Sequence, residues 1–336
     1  MFKELFYIED MIKMNENYIF LSSCLKGIYA LDSERKSIKR LVEFDAEKTS
    51  YRLFSYLLDM GEIILCVPLL AENIVLVNKQ SNEIEYIKVP TPKKMTSRFY
   101  NGGEKFFYAQ KYEDKVVFIP AKYPGILILD LSTRTMSIID DWVEELEKDG
   151  IDTNFCYFRK SNSIKDNLLY VASTLTAKIL IINLKNLEIT IRNIEIEGKD
   201  AFSGIYIYKC KMFLSCLLTP RMISIDLQSE NKEIIQLSNC SCTYPNLCLL
   251  EGQLLNGNIL LWQQRDNGLY VFSCIDNSFQ IINRSESDKI DNHRRYTFTR
   301  ILDEKILFLV IVIRLYGNMM TNSVHTILSL MANYYI

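Results

Sequence analysis

Two histidines, His293 and His325, are all the imidazole in this 336-residue chain. A histidine base, or a zinc centre with imidazole ligands, would have to be built from them, and neither has companions at ligand spacing. His293 sits in the charged stretch ESDKIDNHRR and reads as a solvated loop residue. Cys240 and Cys242 lack a second pair at zinc-finger distance and read as ordinary thiols. Phosphate-cradling glycine loops and a G-x-S-x-G nucleophile turn are absent from the sequence. The remaining chemistry lies in cations, rings and a few acids: Lys122 with Tyr123, Trp142, Arg159 and Arg221, and the carboxylates Glu104 and Glu251. Aromatic rings beside guanidinium and ammonium groups suit carbohydrate-like or anionic small molecules. No metal site and no cofactor is expected.

These residues are positioned by a repeat. The phrase GILILD at Gly125 returns as KILIIN at Lys178, and related phrases start at Gly27, Asn73, Arg221 and Gly268, with a degenerate copy near Leu315. The spacing averages about 48 residues, so seven units fill the chain. Within a unit the order is constant. In the fourth, CYFRKSNSIK leads to the turn Asp166-Asn167, then LLYVAST, KILIINL, the turn Lys185-Asn186, and EITIRNIEI. Asp and Asn tolerate left-handed backbone and bond their own turns, so they punctuate hairpins. Each unit is thus expected to be a four-stranded antiparallel meander.

The third strand is apolar at nearly every position, which demands burial on both faces. The fourth alternates, Ile189 and Ile191 against Thr190 and Arg192, as a half-exposed outer strand does. Sheets buried on both faces must be packed against copies of themselves. Arranging them around an axis does so and leaves only short edges.

On this repeat pattern the whole chain resembles β-propellers of the broad kelch-like and YVTN-like kind. The Gly-His…Trp-Asp signature of WD repeats is missing, and a paired glycine occurs once, at Gly102-Gly103. The resemblance implies an all-β fold and one propeller over residues 1–336, with seven four-stranded blades; six with an irregular tail is the alternative. The last unit, with LVIVIRLYGNMMTNSV where a polar connection belongs, reads either as a diverged blade or as a disturbed sequence. In such folds the loops between second and third strands share a face with the blade-to-blade connections, and ligands usually bind there. That face would carry Lys26, Glu72, Lys122, Tyr123, Arg221 and Asp266, with Arg159 heading an inner strand beside Tyr123 on the rim. Trp142, on a connection, is either a lid packed on the next blade or a ligand platform. DDWVEELEKDG, Asp140–Gly150, is expected to be a short helix capped by Asp140 or Asp141, its acids diverging too far for calcium.

Composition excludes other classes. The 39 basic and 41 acidic side chains nearly cancel without like-charge blocks, so no nucleic-acid partner is indicated. The longest apolar run, Ile306–Ile313, is far short of the roughly twenty residues a spanning helix needs. The N-terminus carries acids inside its first apolar run, unlike a secretory signal. Nine scattered cysteines fit reduced thiols in a cytoplasm. The expectation is a non-catalytic propeller binding a partner protein or a small ligand on its funnel face. The alternative is a lactonase, lyase or sugar hydrolase on the same fold, which the scarcity of inner-strand carboxylates disfavours.

Overall fold

In a computed structural model, residues 5–6, 8–15, 17–32, 37–48, 51–93, 100, 102–150, 156–237, 250–263, 269–283, 298–302, 305–309 and 313–314 are described. His293, His325, Cys240, Cys242, Asp266 and the unit beginning at Leu315 lie outside them.

Six antiparallel sheets of four strands follow one another, each in the order in which the chain makes its strands. In the fourth these are Phe158–Lys165, Leu168–Ser173, Lys178–Asn183 and Ile189–Asn193. The first strand of each sheet neighbours the first strand of the next: Ile8–Met14, Phe54–Asp59, Phe106–Tyr112, Phe158–Lys165, Phe202–Tyr208 and Leu250–Leu255. The hairpin Phe298–Leu302 with Lys305–Leu309 comes next. Its first strand touches both the sixth inner strand and the first, closing a ring. The fold is a β-propeller.

Complete four-stranded blades thus number six among the described residues, the count of the six-blade alternative. Among the described residues the seventh place holds a two-stranded hairpin, and the remainder of that unit lies outside them. Separately, Leu5–Phe6 pairs antiparallel with Ile313–Arg314, joining the two ends of the chain.

The apolar third strands are shared between two interblade cores. Leu180 and Ile182 pack with Ile126, Ile128 and Leu169, between the third and fourth blades. Ile179 turns the other way, onto Phe202, Ile205 and Leu214 of the fifth. Ile126–Asp130 and Lys178–Asn183 are equivalent third strands, as the repeat requires.

The hairpins from third to fourth strand share one device. Asn78, Asp130, Asn183 and Asp226 end their strands and accept a hydrogen bond from the amide two residues on. Four residues further the backbone turns left-handed, at Asn82, Arg134, Leu187 and Glu230. In the third blade the Ser132 hydroxyl, then the Thr133 amide, hold the Asp130 carboxyl down at about 2. A carboxyl depressed on folding adds stability above its ordinary value and loses it as pH falls toward the folded one. Asp130→Asn keeps the turn, since Asn78 and Asn183 do the same work, but removes that titration. Between about pH 4 and 2 the parent should therefore lose melting temperature more steeply than D130N. Superimposable acid-unfolding curves would show that the carboxylate contributes nothing there.

Candidate functional site

The heads of the inner strands and the connections leading into them meet at one end of the axial channel. In the first five blades the pairing of first and second strands slips near this head, after Ile8, Phe54, Phe106, Phe158 and Phe202. Such bulges free a residue from the ladder and re-aim its side chain. The residues released include Glu9, Ser55 and Arg159, and the same position in the sixth blade is Glu251.

Their charges converge across blades. Arg52, two residues before the second inner strand, donates from Nε to Glu9 Oε1 at 3.2 Å and from Nη1 to Glu104 Oε1 at 2.7 Å. Lys122 Nζ stands 3.6 Å from Glu104 Oε2. Arg159 Nη1 pairs with Glu251 Oε1 at 3.0 Å, reaching from the fourth blade to the sixth. The fifth blade contributes Ser203 and Gly204 at that level, with the Tyr206 hydroxyl packed against them. A Cβ on Gly204 would strike the Tyr206 hydroxyl. Lys160 Nζ crosses the ring as well, donating to the Ser55 carbonyl at 2.7 Å and the Glu9 carbonyl at 3.1 Å.

Burial is the largest influence on Arg159 and opposes its charge, but Glu251, then Cys156 and Glu104, together outweigh it, so its proton is held more tightly than usual. At Arg52 burial is likewise overcome by Glu9 and then Glu104. Arg52, Glu104 and Lys122 keep 28%, 23% and 28% of their side-chain surface in solvent, so this part of the mouth is open to a solute.

The sequence-predicted residues divide. Lys122 and Arg159 belong to the mouth. Tyr123 does not open onto the rim beside Arg159: it is fully buried between the second and third blades. Its ring packs on Phe106 and Tyr100, and its hydroxyl donates to the Pro90 carbonyl at 3.0 Å. Trp142 is a lid, not a platform. Its indole rests edge-on against Tyr157, touches Phe158, and donates from Nε1 to the Ile139 carbonyl at 3.0 Å. Helix Val143–Lys148 follows it, with Trp142 at the N-cap and no side-chain capping bond in place of the expected aspartate. Arg221 is a latch between blades. Its Nη2 lies 3.3 Å from Oδ2 of the fully buried Asp200, which also accepts from the Leu218 amide and the Thr219 hydroxyl.

The same latch recurs with other residues. Glu47 takes the amides of Glu72 and Asn73, and Lys178 pairs with Glu145 and Asp149 at 2.9 Å each. In each case an acid of the blade-to-blade connection holds the start of the next third strand. Lys26 bonds the Glu47 carbonyl, and Glu72 pairs with Lys48 at 2.8 Å. Arg52, Glu9 and Lys160 were not singled out from the sequence. The available signal was their alignment with Glu104, Arg159 and Glu251 at the heads of inner strands.

Among the described residues no three His, Cys, Asp or Glu side chains converge as a metal site. No helix among them is long and apolar enough to cross a membrane.

The architecture is that of the propellers, a ring of meander sheets with a polar mouth at one end of the axis. No family model matches the chain, and no curated protein matches it. Solved structures do. It is similar to a streptogramin B lyase (TM-score 0.55, 14% identity, 82% of this chain and 82% of that one). It is also similar to the extracellular domain of a one-component system from B. thetaiotaomicron (TM-score 0.60, 14% identity, 92% of this chain and 38% of that one). A chain of the mitotic checkpoint complex aligns at TM-score 0.56 and 7% identity, over 89% of this chain and 82% of the other. Identities this low establish the shared fold and nothing finer.

Proposed function

We propose that this propeller is a non-catalytic binding protein whose ligand docks at the charged mouth of the axial channel. The observation that carries the reading is the convergence of Arg52, Lys122, Arg159 and Lys160 with Glu9, Glu104 and Glu251 on one rim. Ion pairs deep in a protein rarely improve on apolar packing, so a partly open cluster of seven charged groups is an expensive way merely to close a ring. Charged groups converging on a concave mouth are the usual means of orienting a polar ligand. All three carboxylates of the mouth, Glu9, Glu104 and Glu251, are engaged by arginine, which supports binding over general acid–base work. The free thiols of Cys66, Cys156 and Cys216 support a reducing, cytoplasmic setting.

Calorimetric screening against sugars, sugar phosphates, nucleotides and carboxylic acids should yield a ligand. Lys122→Met should then weaken it about tenfold or more while leaving the melting temperature within a few degrees, as for other partly exposed charges. Arg221→Met, which cuts a latch away from the mouth, should do the reverse. A ligand indifferent to Lys122 and sensitive to Arg221 would place binding elsewhere and end this reading.

A further inference from the structure

Glu104 has an unusual position for an acid. It stands just before the third inner strand, with one carboxylate oxygen on the Arg52 guanidinium and the other facing the Lys122 ammonium. The two cations come from different places in the chain. Arg52 ends the connection into the second blade, and Lys122 lies in the loop between second and third strands of the third. Neither cation lies on the strand that Glu104 leads into. Arg52 is also the ion-pair partner of Glu9, so it remains anchored when it lets go of Glu104. Among the described residues Lys122 pairs with no second acid, and its flexible stem leaves it free to follow a new partner.

A guanidinium fork opposite an ammonium is the arrangement that receives an oxyanion. All three side chains are partly open to solvent, so an incoming group can reach them.

Resting on the binding function proposed above, we propose that Arg52 and Lys122 form an oxyanion subsite at the channel mouth, and that the Glu104 carboxylate is its built-in occupant, displaced by the phosphate or carboxylate group of a small ligand. The ligand replaces one charge-assisted pair by another, so the exchange is nearly balanced electrostatically. Phosphate carries more charge and a third oxygen, and it competes with Glu104 better than a monocarboxylate does. The acid therefore sets a threshold: weakly anionic solutes are turned away, and a polyoxyanion enters. Glu104 is a selectivity element and touches the site only in the empty state.

Four proteins decide the matter: the parent, Glu104→Gln, Glu104→Gln combined with Lys122→Met, and Lys122→Met alone. Each is titrated at neutral pH with inorganic phosphate and, separately, with acetate, using sodium chloride at matched ionic strength as the control. Melting temperature and calorimetry are the readouts. E104Q should bind phosphate about tenfold more tightly than the parent, because the resident negative charge is gone. Acetate, undetected in the parent, should become measurable in E104Q. Adding Lys122→Met should abolish both gains. If folded E104Q takes phosphate no better than the parent, or if its gain survives the loss of Lys122, the subsite does not exist as described. Should E104Q fail to fold, the parent's own phosphate response decides: protection lost in Lys122→Met upholds the subsite, and no protection overturns it. The broader reading fails separately. Tighter phosphate in E104Q with no organic ligand for the parent would keep the subsite and sink the binding function. An organic ligand indifferent to E104Q would do the opposite.

Discussion

Replacing Leu180 by Asp should leave almost no soluble, folded protein. Leu180 is fully buried in the core between the third and fourth blades, where Ile126, Ile128 and Leu169 surround it. Truncating such a leucine to alanine alone costs about 2–5 kcal/mol. A carboxylate in its place also loses its hydration without finding a donor, several kcal/mol more. The total rivals the whole stability of an ordinary domain, about 5–15 kcal/mol. Soluble yield and far-ultraviolet circular dichroism are the measurements. A variant melting within a few degrees of the parent would mean that the third strand is not sandwiched. Ile181, its neighbour, is only half-buried, so Ile181→Asp should be the milder of the two.

Arg159→Met should cost about 3–5 kcal/mol, the range for removing one member of a buried ion pair. The pair with Glu251 keeps 17% and 13% of its side-chain surface in solvent, too little for water to replace the lost partner. Combining Arg159→Met with Glu251→Leu should recover most of the loss, because the stranded charge disappears with its partner. Chemical denaturation of the four proteins gives the coupling directly. Additive losses would show that the two side chains do not depend on each other. From the sequence, Arg159 reads as an ordinary rim residue whose loss costs at most about 1 kcal/mol. The difference lies entirely in a partner two blades away.

That partner illustrates what a sequence can and cannot convey here. Strand order and the double burial of third strands were legible, because ILILD and KILIIN state their environment in every residue. The latches were half legible. A base at the start of a third strand, such as Arg221 or Lys178, looks the same whether it faces a ligand or an acid of the preceding connection. Connections of unequal length hide which acid it meets. Tyr123 misled, and Trp142 stayed open between lid and platform, for a related reason. A large ring on a loop beside a blade junction suits a ligand or the adjoining blade equally well, and here the neighbouring rings of Phe106 and Phe158 take them in. The aim of Glu9 and Arg159 depends on the slip in pairing at their strand heads, which no residue type announces. Only aligning the units on that position brings Glu9, Arg159 and Glu251 into one column.

The closing of the ring by residues from opposite ends of the chain also sets a timetable. Phe298–Leu302 is the strand that lies between the sixth inner strand and Ile8–Met14, and Ile313–Arg314 is the partner of Leu5–Phe6. A ribosome adding about 5–20 residues per second delivers those pieces roughly a quarter of a minute to a minute after the first blade emerges. Throughout that interval the flank of the first blade that receives the closing hairpin, and the short strand Leu5–Phe6, have no companion. Nascent chains on one messenger carry the same bare flank at the same moment, each able to accept a strand meant for its own molecule. The protein is therefore most exposed to entanglement with its siblings while it is being made, and slower initiation, which spaces ribosomes apart, should raise the yield of the closed ring.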